Sequence, residues 1–197
     1  MANIFAFHSI GEALRVYLAT TYPQRLRDEH PCSFALLSTG QLARFEEPTE
    51  TSVALTLFLY RVTVNEQLRN TFQPGRTPPE LAPALPVELH WMLTVWATSA
   101  AAEHVVLAWA MSQLNRQPLL DTSMLPDAGW SPGDVIQVLP EELPLEDVMR
   151  IWEAVEPSYR ISASYVARVV RLDSEQPVQQ PVVERRFEMH TSVEEAP

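Results

Sequence analysis

Residues 85–98 read LPVELHWMLTVWAT, and residues 101–116 continue as AAEHVVLAWAMSQLNR. In the first stretch Val87, Leu89, Trp91, Leu93, Val95 and Ala97 alternate with Glu88, His90, Met92, Thr94 and Trp96. A two-residue period places the first set on one side of a strand, and that side is wholly apolar. The second stretch changes to helical spacing. A long strand feeding an apolar helix requires a fold in which sheet and helix share a core.

Working outward toward the N-terminus, VALTLFLYRVTV (Val53 to Val64) is a second long strand, rich in β-branched and aromatic residues. Strict alternation puts Val53, Leu55, Leu57 and Leu59 on one face and Phe58, Tyr60, Val62 and Val64 on the other, so both faces are expected to be covered. Ser33 to Leu37 is a short strand after Pro31. Ile10, Ala13, Leu14, Tyr17 and Leu18 mark an amphipathic helix ended by Pro23. Between the two long strands, Asn65 to Pro86 carries Pro74, Pro78, Pro79, Pro83, Pro86 and Gly75, which exclude regular structure.

Toward the C-terminus, Pro118 to Gly133 reads as a loop and Asp134 to Leu139 as a strand. Pro144 opens a helix whose buried stripe is Leu145, Val148, Met149 and Trp152, and Ile161 to Leu172 is the last long strand. Residues 173–197 are polar and interrupted by proline, although VVERRF (Val182 to Phe187) keeps strand propensity. The pattern predicts an α/β (α+β) fold with a mixed β-sheet of about four to five strands and about three helices. It forms a single domain over 1–172, followed by an extended C-terminal arm over 173–197.

Charge narrows the function. The chain of 197 residues has a net charge of −11, and all 14 basic residues are arginine. The acidity favours neither nucleic acid nor an anionic membrane as partner. Without lysine there is no Schiff-base chemistry and no lysine-based phosphate loop. Arginine alone suits bidentate pairing at protein interfaces, but codon bias would give the same composition. Cys32 is the single cysteine, so neither an intramolecular disulfide nor a cysteine zinc site is available. The N-terminus lacks the basic region of a secretion signal, and the expected compartment is the cytoplasm.

Tests for chemistry find little. There is no G-x-S-x-G elbow and no G-x-G-x-x-G loop. Glu88 and His90 share a strand face and could converge as ligands or as an acid–base pair, while Glu103 and His104 are neighbours in the helix. No metal motif accompanies either pair, and a polar strand face with one hydrogen-bonded histidine is the favoured account of the first. Catalytic residues, metals and cofactors are therefore expected to be absent. The tryptophans say more. Trp91 and Trp96 fall on opposite strand faces, and Trp109 lies on a helix that is apolar nearly all round. That helix faces either two layers of its own fold or a partner. The tail is either a disordered terminus or a strand that pairs with the edge of another molecule.

Several separated blocks then carry a resemblance. YRVTVNEQLRN, LPVELHWMLTVWAT with the following helix, LPLEDVMRIWEAVEPSYR and ISASYVARVV occur in an order that resembles the tail-terminator, or cap, proteins of phage-tail-like contractile injection systems. The resemblance covers about Phe5 to Leu172. It implies a non-enzymatic protein that forms a hexameric ring, stops polymerisation of tube and sheath, and anchors the last sheath layer. Its partners would be copies of itself and the sheath and inner-tube proteins. An open strand edge invites further addition, so a cap must satisfy the edges of the last ring. Val182, Val183, Glu184, Arg185, Arg186 and Phe187 are the candidate strand for that task. Arg69, in the Leu–Arg–Asn block, and Trp109 are further candidate partner-binding residues. The competing readings are a monomeric assembly adaptor or chaperone, and a small hydrolase using Glu88 and His90.

Overall fold

The computed structural model describes residues 2–46, 48, 52–69, 84–125, 130, 133–155 and 157–172. In chain order the elements are α1 (Ala6–Thr21), α2 (Gln24–Glu29), β1 (Cys32–Leu37), α3 (Thr39–Leu42), β2 (Val53–Val64) and α4 (Glu66–Arg69). They continue with β3 (Leu85–Trp96), α5 (Ala100–Arg116), β4 (Leu119–Leu120), β5 (Ile136–Glu141), α6 (Leu145–Val155) and β6 (Ser162–Leu172). The arm over 173–197, with its candidate strand, and residues 70–83 of the proline-rich connection lie outside the described residues.

One six-stranded mixed sheet organises these elements, in the order β1-β2-β3-β6-β5-β4. Only β1 and β2 run parallel, and every other neighbouring pair is antiparallel. β3 sits inside the sheet and is buried on both faces, as the alternation of its apolar and mixed sides requires. Val87, Leu89, Trp91, Leu93 and Val95 enter a large core with Ile10, Leu14 and Leu18 of α1 and Val106, Ala110 and Leu114 of α5. Met92 and Trp96 enter a smaller core on the other face, with Leu42 of α3 and Trp152 and Val155 of α6. Fully buried Leu89 and Leu93 each contribute roughly 1.5–3 kcal/mol relative to exposure.

The sheet and helix count exceeds the expectation of about four to five strands and about three helices. The additions are short. α2 buries no residue, so it carries no apolar period to read. α3 is one turn held by a capping box, in which Ser38 and Gln41 bond each other's backbone N–H groups. β4 lies within the expected 118–133 loop. The expected 134–139 strand runs instead from Ile136 to Glu141. Gly133, at φ +89°, makes the turn before it. Pro140 is tolerated because the strand has little beyond it.

Two further expectations change. Leu145 and Met149 are exposed, and the buried stripe of α6 is carried by Trp152 and Val155 with Val148 beside them. The faces of β2 do not alternate to its end. Leu59 opposes Trp91 and Arg61 opposes His90, so Tyr60 is an extra residue in the ladder. This β-bulge reverses the phase. Val62 and Val64 then oppose Leu89 and Val87 on the large-core side, rather than sharing a face with Phe58. A second bulge lies across β3, between Val87 and Leu89, where β6 supplies the extra residue.

Candidate functional site

The bulge at Tyr60 creates the most polar part of the smaller core. Tyr60 keeps its side chain on that face, and its hydroxyl donates to Glu141 Oε2 at 2.8 Å. The same oxygen lies 2.8 Å from His90 Nδ1 and accepts from Ser164 Oγ at 3.1 Å. Tyr60 and Ser164 hydroxyls are also 2.8 Å apart. On the far side of the imidazole, Nε2 is 2.9 Å from Thr63 Oγ1. The ring is held at both nitrogens, by the carboxylate at Nδ1 and by the Thr63 hydroxyl at Nε2. Four strands, β2, β3, β5 and β6, thus meet at one carboxylate.

Burial alone would raise the Glu141 carboxyl. The hydrogen bonds from His90, Tyr60 and Ser164 together outweigh it and hold the group below the ordinary carboxylate value. Burial pushes the Tyr60 hydroxyl up to about 12, so it remains a donor. The serine is held by the carboxylate and the phenol, while the imidazole reaches the carboxylate and Thr63. This arrangement satisfies buried donors and stitches strands together.

Glu88 does not join His90. Its Oε1 accepts from Asn65 Nδ2 at 3.0 Å, and Asn65 Oδ1 in turn accepts the Leu68 N–H at 3.1 Å. Glu88 therefore steadies the turn into α4, which ends at Arg69. The expected convergence of Glu88 and His90 fails because β5 brings Glu141 to the ring first, a contact that spans 51 positions in sequence. Among the described residues, no three His, Cys, Asp or Glu side chains are grouped so as to hold a metal ion. Nor is any helix among them long and apolar enough to cross a membrane.

The surfaces that could meet other molecules are different in kind. Trp109 is half-buried in an aromatic trio, edge-on to Tyr22 at 4.8 Å and to Phe34 of β1 at 6.2 Å. It braces α5 against α1 and β1, and the ridge that α5 leaves outside carries Val105 and Met111 instead. Opposite, α6 leaves Leu145 68% exposed.

The two sheet margins are unlike. At the β4 margin the strand is two residues long, and Pro118 O already takes the Val138 N–H at 2.7 Å. The next outward-facing position of β5 is Pro140, which has no N–H to offer. At the β1 margin the phase is set by the bond from Val53 N–H to Pro31 O, 2.8 Å. Ser33, Ala35 and Leu37 then bond to β2, and the backbone groups of Cys32, Phe34 and Leu36 point away from the sheet. CSFALL contains no charge and no proline. Sequence reading assigned the strand but not its edge position, because strand order is set by tertiary pairing.

The family model described as the Pvc16 N-terminal domain matches residues 9–185. Among solved structures, the chain is similar to the sheath/tube terminator of PVC, an extracellular contractile injection system, in its extended state. The identity is 18%, the TM-score 0.54, and the match covers 95% of this chain and 65% of that one. It is also similar to the tube-terminating cap of the anti-feeding prophage, at 14% identity and TM-score 0.52, covering 96% of this chain and 62% of that one. The chain thus spans slightly less than two thirds of each of these proteins, and the likeness is one of fold. No curated protein matches it significantly.

Proposed function

The chain belongs to the Pvc16 N-terminal domain family, and on that premise we propose that it caps the tube and sheath of a contractile injection system. Copies of the chain form a ring, with a hexamer as the expected number, which ends polymerisation and anchors the last sheath layer. The protein is structural and not an enzyme. It assembles in the cytoplasm and becomes part of the finished particle. Its partners are other copies, the sheath and the inner tube. Arg69 and the arm residues Val182 to Phe187 serve these contacts, and Trp109 supports them by bracing α5 against β1.

The observation that carries this reading is the likeness of almost the whole chain to two terminators. The chemistry of the interior agrees with it. The most polar buried cluster spends its donors on one carboxylate that ties four strands together. What the molecule offers outward is backbone and apolar surface, which suits assembly.

The test is electron microscopy of particles assembled with and without the protein. Without it, tubes and sheaths should vary in length and sheaths should contract or shed subunits. Particles of unchanged length and stability would refute the capping role.

A further inference from the structure

We propose that the outer edge of β1, Cys32–Leu37, accepts the 182–187 strand of a second copy. The inference rests on the ring reading and adds to it the edge that is filled and the molecule that fills it. The observation behind it is the contrast between the two sheet margins. Natural sheets blunt their edges with proline, charge or very short strands. Here the β4 margin has two of these devices, Pro140 and a two-residue strand. The β1 margin has none along six residues, and it presents the N–H and C=O groups of Cys32, Phe34 and Leu36. Among the described residues, no strand lies outside β1.

The arm fits this edge by pattern. In VVERRF, a two-residue period places Val183, Arg185 and Phe187 on one face and Val182, Glu184 and Arg186 on the other. Cys32, Phe34 and Leu36 lie on the large-core side of β1. The odd face of the arm, with Phe187, continues that apolar side, and the charged even face turns outward. Asp28 and Glu29 sit just before β1, near enough in sequence to the Cys32 end to meet the arm's arginines. Nine residues, 173–181, separate Leu172 from the arm, enough to extend about 30 Å from the body. The family match also runs past β6 to residue 185.

Donor and acceptor occupy different places on the molecule. On the ring reading the contact is heterologous, and such contacts close into a ring when the rotation divides a full turn. Each copy would give one strand and receive one, leaving no β1 edge open.

Disulfide trapping in assembled particles tests this. Particles are built from equal amounts of two full-length forms. One is the native chain with Cys32, and the other carries Cys32→Ser together with Val183→Cys, Arg185→Cys or Phe187→Cys in turn. Oxidation should link the two forms for at least one odd position, about tenfold more than for Glu184→Cys, because a one-residue slip moves the thiol to the other face. Two results would overturn the proposal: no link at any odd position, or linking at Glu184→Cys equal to that at the odd positions. If particle length stays controlled while linking fails, the strand assignment falls and the capping role stands. If length control never depended on the protein, the capping role itself falls.

Discussion

Replacing Glu141 with alanine asks whether the polar cluster holds the sheet together. One carboxylate oxygen takes hydrogen bonds from Tyr60, His90 and Ser164. When it is removed, Tyr60 and Ser164 still have each other at 2.8 Å. His90 Nδ1 loses its partner while the residue remains 5% exposed. Hydrogen bonds to charged groups contribute about 1.5–3 kcal/mol each. The single Tyr60–Ser164 bond satisfies only one of the two hydroxyl donors, and with His90 unpaired and the other hydroxyl turning in part to water the net loss is about 2–4 kcal/mol. For a chain of this size that is a fall in Tm of about 10 °C. Urea unfolding followed by tryptophan fluorescence measures it, with an unchanged m-value as the sign that stability alone has moved. The matched control is Glu88→Ala, which removes only the bond from Asn65 and should cost less than about 1 kcal/mol. Equal losses in the two variants, or a larger loss for Glu88→Ala, would refute the assignment of Glu141 as the partner of His90. The pH dependence has a definite sign. The Glu141 carboxyl is held below its ordinary 4.5, so its stabilisation is complete above that value and is lost as pH falls through the lower folded value. The stability gap between the native chain and Glu141→Gln should therefore narrow only below about pH 4.5.

At alkaline pH the sign reverses. Burial pushes Tyr22, Tyr60 and Tyr165 from 10.0 up to about 12, and Cys32 from 9.0 up to about 12. Their stabilisation is intact below pH 9 and is lost as pH rises toward 12, so the urea midpoint at pH 11 should lie below that at pH 8; equal midpoints would contradict it. Gly11→Ala places a Cβ 2.7 Å from Trp91 Cη2 and 2.8 Å from Leu36 Cδ1. Overpacking of about 1–3 kcal/mol outweighs the roughly 1 kcal/mol gain in helix propensity, so calorimetry should show net destabilisation of about 1 kcal/mol. Trp152→Ala, in the smaller core, should cost about 3–5 kcal/mol. Leu145→Asp, on the same helix but exposed, should stay within about 0.5 kcal/mol. A large loss for Leu145→Asp in the isolated protein would mean that α6 is rotated from the orientation described.

Much of this architecture is legible without coordinates, where periodicity is long and burial strong. β3 and α5 declare themselves because twelve and seventeen residues repeat without interruption. The opposite placement of Trp91 and Trp96 follows from the same period and holds in the two cores. The reading runs out where geometry is decided by contacts distant in sequence. Nothing near Glu88 or His90 announces that Glu141 will arrive from β5. The extra residue at Tyr60 cannot be seen either, since LFLYRVTV alternates acceptably in either phase and only pairing with β3 chooses. The α6 stripe fails for a related reason. Leu145 has the right spacing from Trp152 but lies beyond the ground that the sheet face provides.

The bulge at Tyr60 also sets how the gene can change length. Because side chains alternate, a one-residue deletion between Leu59 and Arg61 would return β2 to a single parity. Val62 and Val64 would still oppose Leu89 and Val87, because Leu59 and Arg61 already oppose the consecutive residues Trp91 and His90. The tyrosine hydroxyl would leave Glu141 in the same move. A single codon there adds a hydroxyl to the smaller core without displacing the strand beyond it. Loss of that one residue should therefore be tolerated by the ladder, whereas a lone deletion between Arg61 and Val64 would carry the residues beyond it onto the opposite face.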